Sequence, residues 1–165
     1  MLLFTIALLI FVPMLVEAGR AARNERAQKA RGGIEPHDDV YPIMRIVYPA
    51  VFLAMLVEGA VRGTPSTSVL AAGIAVFACA KLVKWSAILA LGRSWTFRVI
   101  VVPGDRLVAT GPYRYLRHPN YVGVVGELVG VALMTGALIS GPLAVFVFGA
   151  LLLKRIEVEE RALRT

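Results

Sequence analysis

Five long apolar runs, at about 1–18, 42–61, 68–91, 121–138 and 142–154, constrain this chain more than any motif in it. A helix crosses the hydrocarbon core of a bilayer with roughly 20 apolar residues, and several of the runs approach that length. The expected architecture is all-α: a polytopic integral membrane protein of about five transmembrane helices, the last two paired as a C-terminal helical hairpin. Of the 165 residues, 58% are hydrophobic, more than a soluble domain of this size carries. No linker is long enough to separate two domains, so 1–165 reads as a single one. The first run lacks a positively charged lead and a small-x-small cleavage site, and it reads as a retained helix rather than a signal peptide.

Several functions are excluded early. One cysteine, Cys79, rules out a disulfide framework. His37 and His118 are too far apart in sequence to suggest a metal centre. The net charge of +7 suggests nucleic acid only in isolation, because no zinc-finger spacing or RNA-binding aromatic motif accompanies it. In so apolar a chain, basic loops held at an anionic membrane face explain it better.

The distribution of charge supports that reading. The connector after the first run carries Arg20, Arg23, Arg26, Lys29 and Arg31, and the next carries only Arg62. The long third connector carries Arg93, Arg98, Arg106, Arg114 and Arg117, the fourth none, and the tail Lys154, Arg155, Arg161 and Arg164. Basic and non-basic connectors alternate. The positive-inside rule then puts the N-terminus outside and the first, third and last polar segments in the cytoplasm.

Turn residues Gly136, Ser140, Gly141 and Pro142 place the hairpin apex near Ile139. Asn120 to Ile139 and Ser140 to Glu159 each span 19 positions. Equal antiparallel arms should therefore bring "RHPNY" beside "EVEER" at one membrane face.

Each polar group near that face admits a functional and a structural reading. Pro119 suits the first turn of a helix whose N-terminus favours a carboxylate, and His118 and Tyr121 offer a hydrogen-bonding ring and an aromatic platform. The alternative is an ordinary interfacial belt of tyrosine and arginine. Arg155 and Glu159 stand i,i+4 on one helix face, where the hairpin favours function; Glu157 and Glu160 read as a solvated tail. Glu127 lies about two turns inside an apolar helix, where an ionisable group suggests function. Its alternative is a structural hydrogen bond, or a salt bridge with Lys81 or Lys84. Gly123, Gly126 and Gly130 suggest close helix packing, although their bare face could also admit a lipid chain. Glu58 and Arg62 read as a structural pair. Lys84, Trp85, Arg93 and Trp95 read as interfacial anchors, with Lys81 snorkelling. Rossmann, P-loop, serine-hydrolase and HExxH motifs are absent.

"LGRSWTFRVIVVPGDRLVATGPYRYLRHPNYVGVVGEL" followed by "LLLKRIEVEERAL" resembles the isoprenylcysteine carboxyl methyltransferase family, itself similar to the phospholipid N-methyltransferases. The resemblance covers about residues 80 to 164. It implies an S-adenosylmethionine (AdoMet)-dependent methyltransferase, with three N-terminal membrane helices in 1–91 and a cofactor-binding and catalytic part in 92–165. It further implies a cytoplasmic cofactor segment and a tunnel open to the bilayer for a lipophilic acceptor. Carried over by motif position, Leu107, Val108, Tyr113, His118, Pro119, Asn120, Tyr121 and Glu159 would line the cofactor pocket, with Arg106 at its edge. Arg155 would face the acceptor's reacting group. Glu127 stands where an aromatic residue is more usual and would be a candidate base if burial raised its pKa.

The chemistry of the donor agrees with this assignment. Glu159 can pair with its cationic end, and Tyr113 and Tyr121 can contribute cation–π contacts. The resulting expectation is O-methylation of a lipophilic or prenylated acceptor among membrane lipids, with no metal and no nucleic acid. N-methylation of a phospholipid amine is the enzymatic alternative, and a non-catalytic lipid-binding subunit is the other.

Overall fold

A computed structural model of the chain describes residues 1–105 and 107–163; Arg106 and Arg164 lie outside the described residues. It contains α1 (Leu2–Ala30), α2 (Tyr41–Arg62), α3 (Thr67–Leu91), α4 (Pro119–Thr135) and α5 (Ser140–Ala162), with short 3₁₀ turns at Gly92–Ser94 and Gly111–Arg114. Among the described residues the only extended pairing is one antiparallel bridge, Ile34 to Val101. The all-α expectation holds.

Three of the five helices, α1 to α3, are long and apolar enough to cross a membrane. The apolar α4 is shorter, at 17 residues, and the second half of α5 is polar. Helices α2 and α3 begin and end within a residue of their apolar runs. α1 does not stop at Ala18. It continues through "GRAARNERAQKA" to Ala30, because Ala, Arg, Glu, Gln and Lys are strong helix formers whether or not they are apolar.

The core gathers Ile6 and Ile10 from α1, Phe52 and Met55 from α2, Leu128 and Val131 from α4, and Phe148 from α5. The closest helix pair is α3 with α4, where glycine lets the backbones approach. A Cβ on Gly130 would stand 2.8 Å from Cα of Phe77, and one on Gly123 would stand 2.7 Å from Cβ of Lys84. Close packing is therefore the role of these two glycines.

The two ends of the bundle differ. At one end Glu58 of α2 accepts hydrogen bonds from the backbone N–H groups of Ile139 and Ser140, at 3.0 and 2.7 Å, and from the Ser140 hydroxyl at 2.7 Å. It thereby caps the start of α5 from a neighbouring helix, a structural role for Glu58. At the other end the basic connectors converge. Asn24 of α1 donates to the carbonyls of Gly92 and Trp95 at 3.0 and 2.7 Å, and Gln28 donates to that of Arg93 at 3.1 Å. Arg98 reaches Glu35 at 2.5 Å and Glu25 at 3.7 Å, while Arg31 pairs with Asp105 at 2.6 Å. The polar half of α1 is thus the seat of the 92–105 loop as well as a charged connector.

Two expectations are corrected here. Trp95 is not an interfacial anchor but is buried with Ala21 and Ile88 beneath that loop. Lys84 is likewise buried, at 3% exposure, because carboxylates await it inside the bundle.

Candidate functional site

The site begins where the chain turns into α4. His118 precedes the helix in a non-helical conformation, and its carbonyl accepts the N–H groups of Tyr121 and Val122 at 3.1 and 3.3 Å. Pro119 is buried at the first helical position, where its missing N–H costs nothing. One turn then carries Tyr121 toward α5. Its hydroxyl donates to Glu159 Oε2 at 2.6 Å and accepts from Nε of Arg155 at 3.0 Å. The equal hairpin arms thus join the two polar motifs. Gly136, with φ of 66°, closes the turn between them.

The hydrogen-bonded chain extends in both directions. The His118 ring stacks on Tyr121 with centroids 5.5 Å apart; its Nε2 lies 3.4 Å from Glu160, and its Nδ1 lies 3.9 Å from Glu159. On the other side Arg155 Nη1 donates to Asp39 Oδ1 at 2.7 Å. Asp39 also accepts the backbone N–H groups of Tyr41 at 3.0 Å and Val99 at 2.9 Å. Exposure rises along the chain: the Arg155 and Asp39 side chains are 6% and 4% exposed, His118 20%, and Glu159 and Glu160 32% and 35%. One end is locked into protein and the other opens outward.

Tyr113, on the second 3₁₀ turn, is half-buried, and burial together with the nearby Glu159 charge pushes its phenol well above the ordinary tyrosine range. It stays a neutral hydroxyl at physiological pH. Asn120 Oδ1 is buried without a hydrogen-bond partner among the described residues, which is unusual for a polar atom. Val108 is half-buried and Leu107 is 71% exposed; neither joins the hydrogen-bonded chain. Arg106 lies outside the described residues.

Glu127 belongs to a different network. One of its oxygens pairs with Lys81 at 2.9 Å; the other accepts the Tyr48 hydroxyl at 2.5 Å and lies 3.3 Å from Lys84. Glu17 of α1 completes the set, 2.7 Å from Lys84 and 3.3 Å from Lys81. Two carboxylates and two ammonium groups from three helices therefore balance inside the bundle, and α2 adds the Tyr48 hydroxyl. This is the salt-bridge alternative for Glu127, and it involves both candidate lysines. Among the described residues no hydrogen bond or ion pair joins this network to Arg155.

Sequence reasoning missed Asp39, Glu17 and Tyr48. Asp39, just ahead of a proline-led helix, reads as a simple cap. Glu17 was detectable, since it is a lone acid near the end of an apolar run and Lys81 and Lys84 are the matching intramembrane cations.

A family model described as "Isoprenylcysteine carboxyl methyltransferase (ICMT) family" matches residues 71–165, which span most of α3, the loop, and the α4–α5 hairpin. The chain belongs to that family. Family membership and the apolar helices make it an integral membrane protein and imply a methyltransferase. It is 33% identical over 161 residues to "Uncharacterized protein YpbQ" of Bacillus subtilis (strain 168), a match covering 96% of this chain and 94% of that one. It is 25% identical over 142 residues to an "Uncharacterized protein" of Haemophilus influenzae, covering 86% and 83%. No solved structure matches the chain. Asp39 and Glu17 both fall outside the span of the isoprenylcysteine carboxyl methyltransferase family match.

Proposed function

We propose that this protein transfers a methyl group from AdoMet to an oxygen of a lipophilic acceptor, at the membrane end where the basic connectors converge. The carrying observation is the hydrogen-bonded run from Arg155 through Tyr121 to Glu159, with the His118 ring stacked on Tyr121. It links the two motifs on which the family resemblance rests. With the N-terminus outside, that end is cytoplasmic.

The residues present fit AdoMet. The partly exposed Glu159 would pair with its ammonium group, and the orphaned Asn120 Oδ1 offers a buried hydrogen-bond acceptor that nothing among the described residues uses. Tyr113, His118 and Tyr121 supply aromatic faces for a cationic or planar group, the start of α4 suits a carboxylate, and Leu107, Val108, Pro119 and the flanking Arg106 would complete the lining. When bound, AdoMet supplies an electrophilic methyl group on a sulfonium.

The chain's own contribution is alignment. Nε of Arg155 is engaged by Tyr121 and Nη1 by Asp39, which leaves Nη2 as the guanidinium edge for an anionic oxygen. A carboxylate acceptor arrives already deprotonated and needs no base. Glu127, held in ion pairs inside the bundle, is better assigned to charge balance there than to proton abstraction. The groove lined by Ala75, Val76, Cys79, Ala80, Val83, Val122 and Gly126, about 380 Å³ and almost wholly apolar, offers room beside α4 for an acyl or prenyl chain.

The test is transfer of labelled methyl to three detergent-solubilised acceptors: N-acetyl-S-farnesylcysteine, an alkylphenol and a lysophosphatidylethanolamine. Arg155→Ala should lower kcat/KM on the carboxylate and the phenol about 100-fold. Amine activity that survives the substitution while the oxygen acceptors stay inert would replace this reading with phospholipid N-methylation.

A further inference from the structure

Arg155 is a buried cation with a flexible stem, and an arginine can direct a substrate only if its plane is fixed. Two contacts fix it from opposite sides. The Tyr121 hydroxyl takes Nε, and that hydroxyl is itself oriented by donating to Glu159. Asp39 takes Nη1 at 2.7 Å. Asp39 is in turn the most constrained carboxylate at this end of the bundle: its side chain is 4% exposed. Backbone N–H groups of Tyr41 and Val99 hold its two oxygens. Those donors come from the start of α2 and from the 92–105 loop, so Asp39 ties both segments to α5.

We infer that Asp39 is a positioning residue for methyl transfer: it holds the Arg155 guanidinium so that its Nη2 edge faces the reacting oxygen of the methyl acceptor. This rests on the methyltransferase reading above. Three lines support it. A planar guanidinium with two of its three nitrogens bonded to fixed partners has no remaining rotation. Nη2 has no hydrogen-bond partner among the described residues, whereas Nε and Nη1 do. The carboxylate also offsets the arginine's charge, which makes a permanently buried guanidinium tolerable without a bound anion. Removing Asp39 should therefore affect the methyl acceptor and leave the donor pocket at Glu159 largely alone.

Two measurements on the full chain in detergent decide it. In protein labelled with ¹⁵N-arginine, Arg155 (assigned through Arg155→Lys) should show separate Nη signals. Asp39→Asn should merge them by freeing rotation about Nε–Cζ. This readout requires neither turnover nor ligand.

The second measurement compares Asp39→Asn, Arg155→Ala and the double variant for kcat and KM on N-acetyl-S-farnesylcysteine and for the Kd of S-adenosylhomocysteine. Asp39→Asn should lower kcat/KM about 10- to 100-fold, change the Kd less than about 2-fold, and add nothing in the Arg155→Ala background. Equal losses on wild type and on Arg155→Ala, or a Kd weakened as much as kcat/KM, would show a general structural role and overturn the inference. Unmerged signals would do the same. If Asp39→Asn fails to fold, Asp39→Glu keeps the charge but displaces it by a methylene; it should show the same selective loss, and full activity would count against positioning. A wild-type protein that binds no S-adenosylhomocysteine would defeat the methyltransferase reading, while the Nη signals would still decide whether Asp39 holds Arg155.

Discussion

Two of the polar networks among the described residues are built from similar parts, and they end differently. Inside the bundle, Glu17, Lys81, Lys84 and Glu127 balance two negative against two positive charges, with side-chain exposures from 1% to 15%. At the loop end, the chain from Asp39 through Arg155, Tyr121, Glu159 and His118 to Glu160 opens progressively to the exterior. A closed network balances its own charge and holds helices in register. An open one, with the partly exposed Glu159 and an orphaned Asn120 oxygen, fits the donor site proposed for AdoMet. Burial alone would have favoured Glu127 as the functional acid; its ion pairs with Lys81 and Lys84 argue the other way.

The comparison breaks first at Lys84. Lys84→Met leaves two buried carboxylates with one ammonium group and should destabilise the fold by about 3–5 kcal/mol, measured by denaturant titration in micelles. Glu17→Met combined with Lys84→Met leaves the Lys81–Glu127 pair balanced and should recover more than half of that loss. No recovery would mean that the four charges do not act as a set.

Glu159→Gln probes the open network. It should weaken S-adenosylhomocysteine binding about 10-fold or more, as expected for a lost charged hydrogen bond, while the unfolding midpoint changes little. A large stability loss with unchanged affinity would make the two networks alike.

Much of this arrangement was legible in the sequence, and what was not has physical causes. Runs of apolar residues located α2 and α3, and the two equal arms, each spanning 19 positions, foretold the meeting of "RHPNY" with "EVEER" because helical rise is regular. The polar extension of α1 was obscured because apolar content marks where a helix is buried, and helix propensity decides where it ends. Asp39 was hidden because its main partner, Arg155, lies 116 positions away and a carboxylate before a helix already has a local explanation. Lys84 and Trp95 carried the pattern of interfacial anchors, and only tertiary partners turned them inward.

The smallest expected effect concerns the seat of the loop. Burial opposes ionisation of Glu35, but hydrogen bonds from Lys29 and Arg98 outweigh it and hold its carboxyl below the ordinary 4.5. A depressed carboxyl stabilises above its unfolded pKa, and that contribution fades as pH falls through the lower folded value. Amide exchange at Ile34 and Val101, whose bridge lies beside this pair, should therefore accelerate modestly below about pH 4.5, relative to amides in the α3–α4 contact. Identical acceleration at both places would remove Glu35 as the cause.

The most direct measurement is calorimetric titration of the purified protein with S-adenosylhomocysteine, run in parallel on wild type, Glu159→Gln and the Glu17→Met/Lys84→Met pair. The open network as donor site predicts saturable binding to wild type, near-equal binding to the double variant and weakened binding to Glu159→Gln. Absence of binding to folded wild-type protein at millimolar ligand would contradict it.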